Sequence, residues 1–192
     1  MSTLTSRGAS AAMSRWLCMF LAFFAFSAVA AAPAPDRKTS LFEIDFMEDM
    51  IDHHAMAVQM ASLCEQRAVH EQLRSFCTQI REAQSQEIAT MQGWLASWYG
   101  DAYQPEMTKS GMKDMERLAS LSGAEFEIAF MEMMIRHHEK AIKEATTCLA
   151  RAYHPELLNL CQNIIDTQTQ EIRQMRAWLC EWYNMCSVKG KD

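Results

Sequence analysis

Apolar residues recur every three or four positions along most of this chain, a pattern typical of amphipathic helices. Two of these series are Phe42, Phe46, Met50, Ile51, His54 and Val58, then Ile80, Gln84, Ile88, Met91 and Leu95. Neither stretch contains Pro or Gly before Gly93, and His154-Pro155 has the form of a helix start. We therefore predict four long helices near 41–67, 71–99, 124–152 and 155–184, and a short helix around 112–121.

The chain also repeats itself after 84 residues without a gap. The segment FEIDFMEDMIDHH at 42–54 returns as FEIAFMEMMIRHH at 126–138, and the QSQEI motif beginning at Gln84 returns as QTQEI. The first repeat thus covers 42–99, the linker 100–123 and the second repeat 126–183. One helical hairpin cannot bury the apolar faces of both its helices, whereas two hairpins can close into a bundle. We predict an all-α, four-helix domain over 41–184, with the hairpins related by a pseudo-twofold axis.

Residues 1–30 have the order of a secretory signal peptide. Arg7 and Arg15 precede an apolar run at 16–29, and Ala28-Val29-Ala30 offers a cleavage site. The run is too short for a comfortable membrane span, and an uncleaved N-terminal anchor is the alternative. A short leader at 31–40 and a tail at 185–192 complete the predicted organisation. The mature protein is expected in the periplasm or outside the cell, with no membrane association after cleavage.

The net charge excludes some classes of binding partner, and the cysteine content indicates the cellular compartment. The formal net charge is −6, so no basic surface is available to attract nucleic acid or anionic lipid. Six cysteines follow the signal peptide, and an even number in an exported protein favours disulfides. The expected pairs staple the two hairpin tips and leave one local pair; six free thiols that bind metal are the alternative. The pairs are Cys64–Cys77, Cys148–Cys161 and Cys180–Cys186.

Histidine and methionine carry the candidate chemistry. The six histidines form three repeat-matched pairs, namely His53/His137, His54/His138 and His70/His154. Met47, Met50 and His54 lie at i, i+3 and i+7 and share a helix face, and the second repeat keeps all three. Thioether and imidazole together suit soft copper(I). A methionine stripe alone would fit an ordinary core, but the adjacent histidines favour metal. His70 and His154 lie near the tips, where capping or surface roles are expected.

The motifs in combination resemble the domain of unknown function 305 (DUF305) family over residues 42–183. They are the two His-His blocks with their preceding methionines, the Gln84–Leu95 motif, and Gly111-Met112 with Met115 and Leu118. The resemblance implies a ferritin-like four-helix bundle, and several exported members are copper-binding or copper-resistance proteins. It implies candidate ligands in both repeats: Met47, Met50, His53, His54, Met60 and Met91 in the first, and Met131, Met134, His137, His138 and Met175 in the second.

The second repeat departs from the family pattern after its His-His block. Glu144 stands where the first repeat has Met60, and Lys140 stands where it has Met56. A weaker second site, or none, is therefore expected. Three linker methionines are candidates for a mobile lid that compensates: Met107, Met112 and Met115.

The resulting prediction is an exported copper-binding protein that sequesters, delivers or gives tolerance to copper(I), with silver as a second ion and a copper-handling protein as an additional partner. No enzymatic reaction is implied. A di-iron enzyme would need Glu-x-x-His, which the chain lacks. The stronger rival is a disulfide-stapled interaction module that binds a protein through its methionines. Burial of His53, His54 and Met50 between helices would favour metal, and exposure would favour a protein partner.

Overall fold

The computed structural model describes residues 32–186, which form five α-helices and no strand. These are α1 (Arg37–Arg67), α2 (Glu71–Trp94), α3 (Lys109–Ala119), α4 (Gly123–Arg151) and α5 (Pro155–Tyr183). The predicted all-α fold is confirmed. The predicted signal peptide lies outside the described residues. Among the described helices, none is both long and apolar enough to cross a membrane.

Local capping explains where the helix ends differ from the predicted ones. Helix α1 begins at Arg37 rather than near 41, because the Asp36 side chain accepts hydrogen bonds from the backbone N–H of Lys38 and Thr39, each 3.0 Å long. The end of the predicted leader therefore belongs to the helix. A π-helical turn over Leu95–Tyr99 extends α2, and Gly100 ends it with φ of 71°, a left-handed conformation that favours glycine.

The two repeats form two hairpins, α1–α2 and α4–α5, related by the expected pseudo-twofold axis. Helices α1 and α4 pack antiparallel at the centre of the bundle. His53 meets its own repeat mate His137, with ring centroids 3.5 Å apart. Near its start, α1 places Glu43 against the tip of the second hairpin, and α4 places Glu127 against the tip of the first. Helix α3, in the linker, packs outside the bundle against α1 and α4.

Disulfides close the bundle at the predicted places. Cys64–Cys77 joins α1 to α2 and Cys148–Cys161 joins α4 to α5, each across 13 residues of sequence. Cys180–Cys186 forms the local third bridge. All six predicted cysteines are therefore paired, which is the arrangement expected of an exported protein, and the alternative of six metal-binding thiols is wrong.

Buried carboxylates attach each hairpin tip to the other repeat. Glu43 accepts hydrogen bonds from the backbone N–H groups of Tyr153 (2.6 Å) and His154 (3.0 Å), from His154 Nδ1 (2.6 Å) and from the Tyr99 hydroxyl. The His154 ring stacks on Trp98, with centroids 3.9 Å apart. This Glu–His–Trp–Tyr group, which we call a tip clamp, thus holds the tip through both polar and stacking contacts.

The second tip clamp repeats the first. Glu127 accepts from the N–H groups of Val69 (2.6 Å) and His70 (2.8 Å), from His70 Nδ1 (2.7 Å) and from the Tyr183 hydroxyl. His70 stacks on Trp182 at 3.9 Å. The third histidine pair of the sequence therefore has a structural role: both histidines stand at helix N-cap positions, but their side chains bind the carboxylate of the opposite repeat.

Candidate metal centre

A buried polar layer divides the core of the bundle into two halves. The buried apolar residues form two clusters, and each cluster has members on all four long helices. On each of these helices, the change from one cluster to the other falls at the same level. Between them lie His53, His54, Gln84, His137, His138 and Gln168, which we call the central polar layer. Burying polar groups without partners is unfavourable, so their presence at this level in both repeats indicates a function other than packing.

The adjacent histidines of each His-His pair face two different places. Successive residues on a helix differ by about 100° in direction. His53 therefore reaches across to the second repeat, where its Nε2 donates to the backbone oxygen of His137 at 3.0 Å. His54 instead faces its own hairpin partner, and its Nε2 donates to Glu87 Oε2 of α2 at 2.7 Å. In the second repeat, His138 Nε2 lies 2.7 Å from Glu171 Oε2, but the pair lacks hydrogen-bond geometry.

None of these contacts involves Nδ1 of the four rings. Nδ1 of His53, His54, His137 and His138 is buried and has no hydrogen-bond partner among residues 32–186. For His53 and His54, Nε2 has an acceptor, so in the neutral ring the proton lies on Nε2 and Nδ1 carries the lone pair. A histidine that binds a metal through one nitrogen almost always donates the other N–H to a carboxylate or a backbone carbonyl. His53 and His54 therefore have the hydrogen-bond pattern that metal-binding histidines commonly show.

The protonation state of the outer histidines agrees with this. Burial lowers the pKa of His53 to about 3, with smaller contributions from the neighbouring His54 and Lys140. Burial, followed by the charge of His53, also lowers the pKa of His137 well below its ordinary value. Both rings are consequently neutral at physiological pH, which is the form that binds metal ions.

The predicted methionine ligands are fully buried on either side of the central polar layer. Met47, Met50 and Met91 share one apolar cluster, next to the level of His54. Met131, Met134 and Met175 occupy the equivalent cluster in the other half. The structure therefore groups the predicted methionines by repeat, with one exception.

Met60 is that exception. It was predicted as a ligand of the first repeat, but it lies in the cluster that contains Met131 and Met134. The reason is the antiparallel packing of α1 on α4, which places the C-terminal half of α1 beside the N-terminal half of α4. Met60 therefore cannot be grouped with Met47 and Met50.

A cleft of about 600 Å³ opens between α1, α4 and the linker, and His53 and His137 line it. Four methionines line the same cleft: Met56, Met60, Met107 and Met133. We call this the outer cleft. A second cleft of about 750 Å³, near Phe42 and Arg151, has neither His nor Met in its lining. The outer cleft, in contrast, combines candidate ligands with access to solvent.

Three of the outer-cleft methionines were absent from the predicted ligand set. The repeat mates of Met56 and Met133 are Lys140 and Asp49, so a criterion of matching between repeats excludes both. Met107 was considered as part of a lid and does line the cleft. Of the other two linker methionines, Met112 is 46% exposed and Met115 packs against an apolar cluster, so neither contributes to the cleft.

The substituted positions of the second repeat also lie at the outer cleft. Lys140 and Glu144 line it, and their charged groups are 3.6 Å apart. Burial raises the pKa of Glu144, and the charge of Lys140 partly opposes this. The departure from the repeat pattern therefore changes the outer cleft, whereas the inner position keeps His138 beside Glu171 and fully buried methionines.

Within residues 32–186, no three side chains drawn from His, Cys, Asp and Glu cluster as a metal-binding group. The candidate ligands described above combine histidine nitrogen with methionine sulfur.

The sequence matches the model of the domain of unknown function DUF305 over residues 43–179, which is most of the chain. The chain belongs to the DUF305 family. This DUF305 protein is similar in structure to CopM in the copper(I)-bound form, with 30% identity, 73% of this chain and 97% of that chain covered, and a TM-score of 0.67. For CopM in the copper(II)-bound form the identity is 32%, the coverage 73% and 97%, and the TM-score 0.66.

A solved structure of a DUF305 fragment shows the same fold. A DUF305 fragment from Deinococcus radiodurans is 26% identical, covers 78% of this chain and 98% of its own, and has a TM-score of 0.66. CopM is also known in a silver-bound form. No curated protein matches the chain. The suspected family and the bundle fold are both confirmed.

Proposed function

We propose that this DUF305 protein binds copper(I), with silver(I) as an alternative ion, and that it acts in sequestration, delivery or tolerance rather than in catalysis. The observation that carries the proposal is a set of four imidazoles beside fully buried methionines, whose buried Nδ1 atoms lack hydrogen-bond partners among residues 32–186. A soft monovalent ion with thioether and imidazole ligands would satisfy those nitrogens.

The proposed inner sites are one per hairpin. In the first, His54 and the methionines at 47, 50 and 91 supply ligands from α1 and α2, and Glu87 holds the imidazole in the required tautomer. In the second, His138, Glu171 and the methionines at 131, 134 and 175 repeat the arrangement. Similarity to CopM, which is known in copper- and silver-bound forms, supports this choice of ion.

An exported location completes the proposal. The signal-like N-terminus and the three disulfides fit an oxidising compartment, the periplasm or the exterior. The protein partner proposed for delivery is another copper-handling protein. The rival interaction module would need its methionines on the surface, but His53, His54 and Met50 are all buried between helices, which favours metal.

The direct test is anaerobic titration of the purified protein with copper(I) against a chelator of known affinity. We expect tight binding, weakened about 100-fold or more in His53→Ala/His54→Ala for the first repeat and in His137→Ala/His138→Ala for the second. Met112→Leu, at an exposed methionine, is the control and should bind as the wild type does. Weak association that is indifferent to all these substitutions would leave the interaction module as the better account.

A second prediction concerns the carboxylate behind the inner histidine. Glu87→Ala removes the acceptor of His54 Nε2–H, so the ring loses its fixed tautomer and orientation. We expect copper(I) affinity at the first inner site to fall by about 10–100-fold, measured by the same competition. Glu82→Ala, on the same helix and exposed, should leave the affinity unchanged. Equal affinity in the two variants would exclude a positioning role for Glu87.

A further inference from the structure

The outer cleft brings together soft ligands from three separate segments. Helix α1 contributes Met56 and Met60, the linker contributes Met107, and α4 contributes Met133, while one histidine comes from each repeat. Both histidines have buried nitrogen atoms without hydrogen-bond partners among residues 32–186. The inner sites belong each to one hairpin, but this cleft lies where the two repeats meet.

Two anchors hold the linker over the cleft. Asp52, next to His53 on α1, accepts hydrogen bonds from the Tyr103 hydroxyl (2.9 Å) and from the Glu106 backbone N–H (2.7 Å). At the other end of α3, the Arg67 guanidinium donates to the backbone oxygens of Ala119 and Leu121. The residue that follows Glu106 is Met107, so its position beside the cleft is fixed from α1 itself.

The packing between α3 and α1 brings two of the sulfur-bearing side chains to the same point. A Cβ placed on Gly111 would lie 3.2 Å from Met56 Sδ and 3.3 Å from Met107 Cγ. Both distances are shorter than ordinary van der Waals contact, so glycine is what allows α3 to approach so closely. Met56 and Met107 are therefore neighbours across this glycine, although 51 residues separate them in sequence.

The cleft can form one such site but not two. The pseudo-twofold axis that relates His53 to His137 would place equivalents of Met56 and Met60 at Lys140 and Glu144. Those residues instead form an ion pair, and no second copy of α3 exists among the described residues to supply a methionine on that side. Of the soft ligands, Met56 and Met107 lie beside Gly111 of α3.

We propose that the outer cleft is a third soft-metal site, shared by the two repeats, in which copper(I) binds to His53 or His137 together with the sulfurs of Met56, Met107 and Met133. The site rests on the copper-binding function proposed above and adds to it. The cleft is open to solvent, whereas the methionines of the inner sites are fully buried, so an incoming ion reaches the outer cleft directly.

Native mass spectrometry under anaerobic conditions, with a chelator fixing the free copper(I), tests the proposal. We expect three copper(I) ions on the wild type and two on Met56→Leu/Met107→Leu/Met133→Leu, since leucine keeps the side-chain volume but removes the sulfur. Met112→Leu/Met115→Leu, on α3 but outside the cleft, should keep three. Gly111→Ala, which crowds Met56 Sδ, should weaken the third ion by about tenfold without removing the other two.

The outcomes separate this proposal from the function it rests on. His54→Ala/His138→Ala should lose the two inner ions and keep the one in the cleft. If the triple methionine variant binds as many ions as the wild type, with the same affinities, the outer cleft is not a site. If, in that case, His54→Ala/His138→Ala also binds no copper, the protein binds copper at the inner sites alone. A wild type that binds no copper(I) would overturn both proposals.

Discussion

Replacement of Glu127 by glutamine is expected to lower the free energy of unfolding by about 3 kcal/mol, and Glu43→Gln by a similar amount. Each carboxylate is fully buried and accepts four hydrogen bonds, two of them from the backbone of a hairpin tip in the other repeat. Glutamine preserves the shape but places an amide N–H₂ opposite N–H donors and removes the charge that strengthens the bonds. Urea denaturation measures the effect.

The matched control for this prediction is Glu132→Gln, which lies on the same helix as Glu127 and is only half-buried. It should change the free energy of unfolding by less than about 0.5 kcal/mol. Equal effects at Glu127 and Glu132 would show that the tip clamps do not stabilise the fold.

The tip clamps also give the sign of a pH dependence. Burial raises the pKa of Glu43 and Glu127, but the hydrogen bonds from tyrosine, backbone N–H and histidine outweigh it, so the pKa of each falls below its ordinary 4.5. A depressed pKa in the folded state stabilises the fold above the unfolded-state pKa, and this stabilisation is lost as the pH falls through the folded-state value. The wild type should therefore lose stability below about pH 4.5, and the double glutamine variant should lose less over that range.

Substitution of both buried glutamines by leucine is expected to stabilise the metal-free protein by about 1–3 kcal/mol per site. Gln84 is 3% exposed and Gln168 is 2% exposed. Within the described part of the chain, neither polar atom of the Gln84 amide has a hydrogen-bond partner, and Oε1 of Gln168 has none. In an ordinary core these amides would be unfavourable, and leucine would complete the apolar contacts of both halves. Retention of such a layer at a loss of stability is typical of a functional site.

Chemical denaturation with a metal chelator present measures this difference. Gln86→Leu/Gln170→Leu is the matched control, because both residues are exposed, lie on the same two helices and are related by the same repeat; it should stay within about 0.5 kcal/mol of the wild type. A loss of stability in Gln84→Leu/Gln168→Leu would mean that the amides are satisfied in solution and that the central polar layer is structural.

Much of the fold was predictable because the relevant information is local or repeated. The spacing of Phe42, Phe46 and Met50 is that of a helix, and the gapless repeat implies two equivalent hairpins. The position of the cysteines at the hairpin tips then gave the disulfides. The start of α1 was missed because the decisive feature is the side chain of Asp36, which caps the helix six residues before the apolar pattern begins at Phe42.

The candidate site was predictable in its residue types but not in its arrangement. The sequence placed His53 beside His54, and only the antiparallel packing of α1 on α4 determines that one meets His137 while the other meets Glu87. The same packing separates Met60 from the methionines of its own repeat. Whether the predicted ligands bind metal stays a prediction.

The features that the sequence did not predict depend on contacts between residues far apart in the chain. No pattern in the sequence assigns a role to Glu43 or Glu127, because their burial depends on tips more than 50 residues away. Met107 is positioned by the hydrogen bond between the preceding residue, Glu106, and Asp52. The periodicity of the sequence does not indicate this contact. A repeated polar residue within an apolar series, as at Gln84, was the signal available in the sequence for the central polar layer.

X-ray absorption spectroscopy at the copper edge, on the protein loaded with copper(I) under anaerobic conditions, tests the central claim most directly. Since the cysteines of residues 32–186 are all in disulfides, any sulfur bound to the ion must come from methionine. We predict a first shell of mixed thioether sulfur and imidazole nitrogen, with the nitrogen contribution reduced in His54→Ala/His138→Ala. A first shell of nitrogen and oxygen alone, unchanged in that variant, would contradict the account.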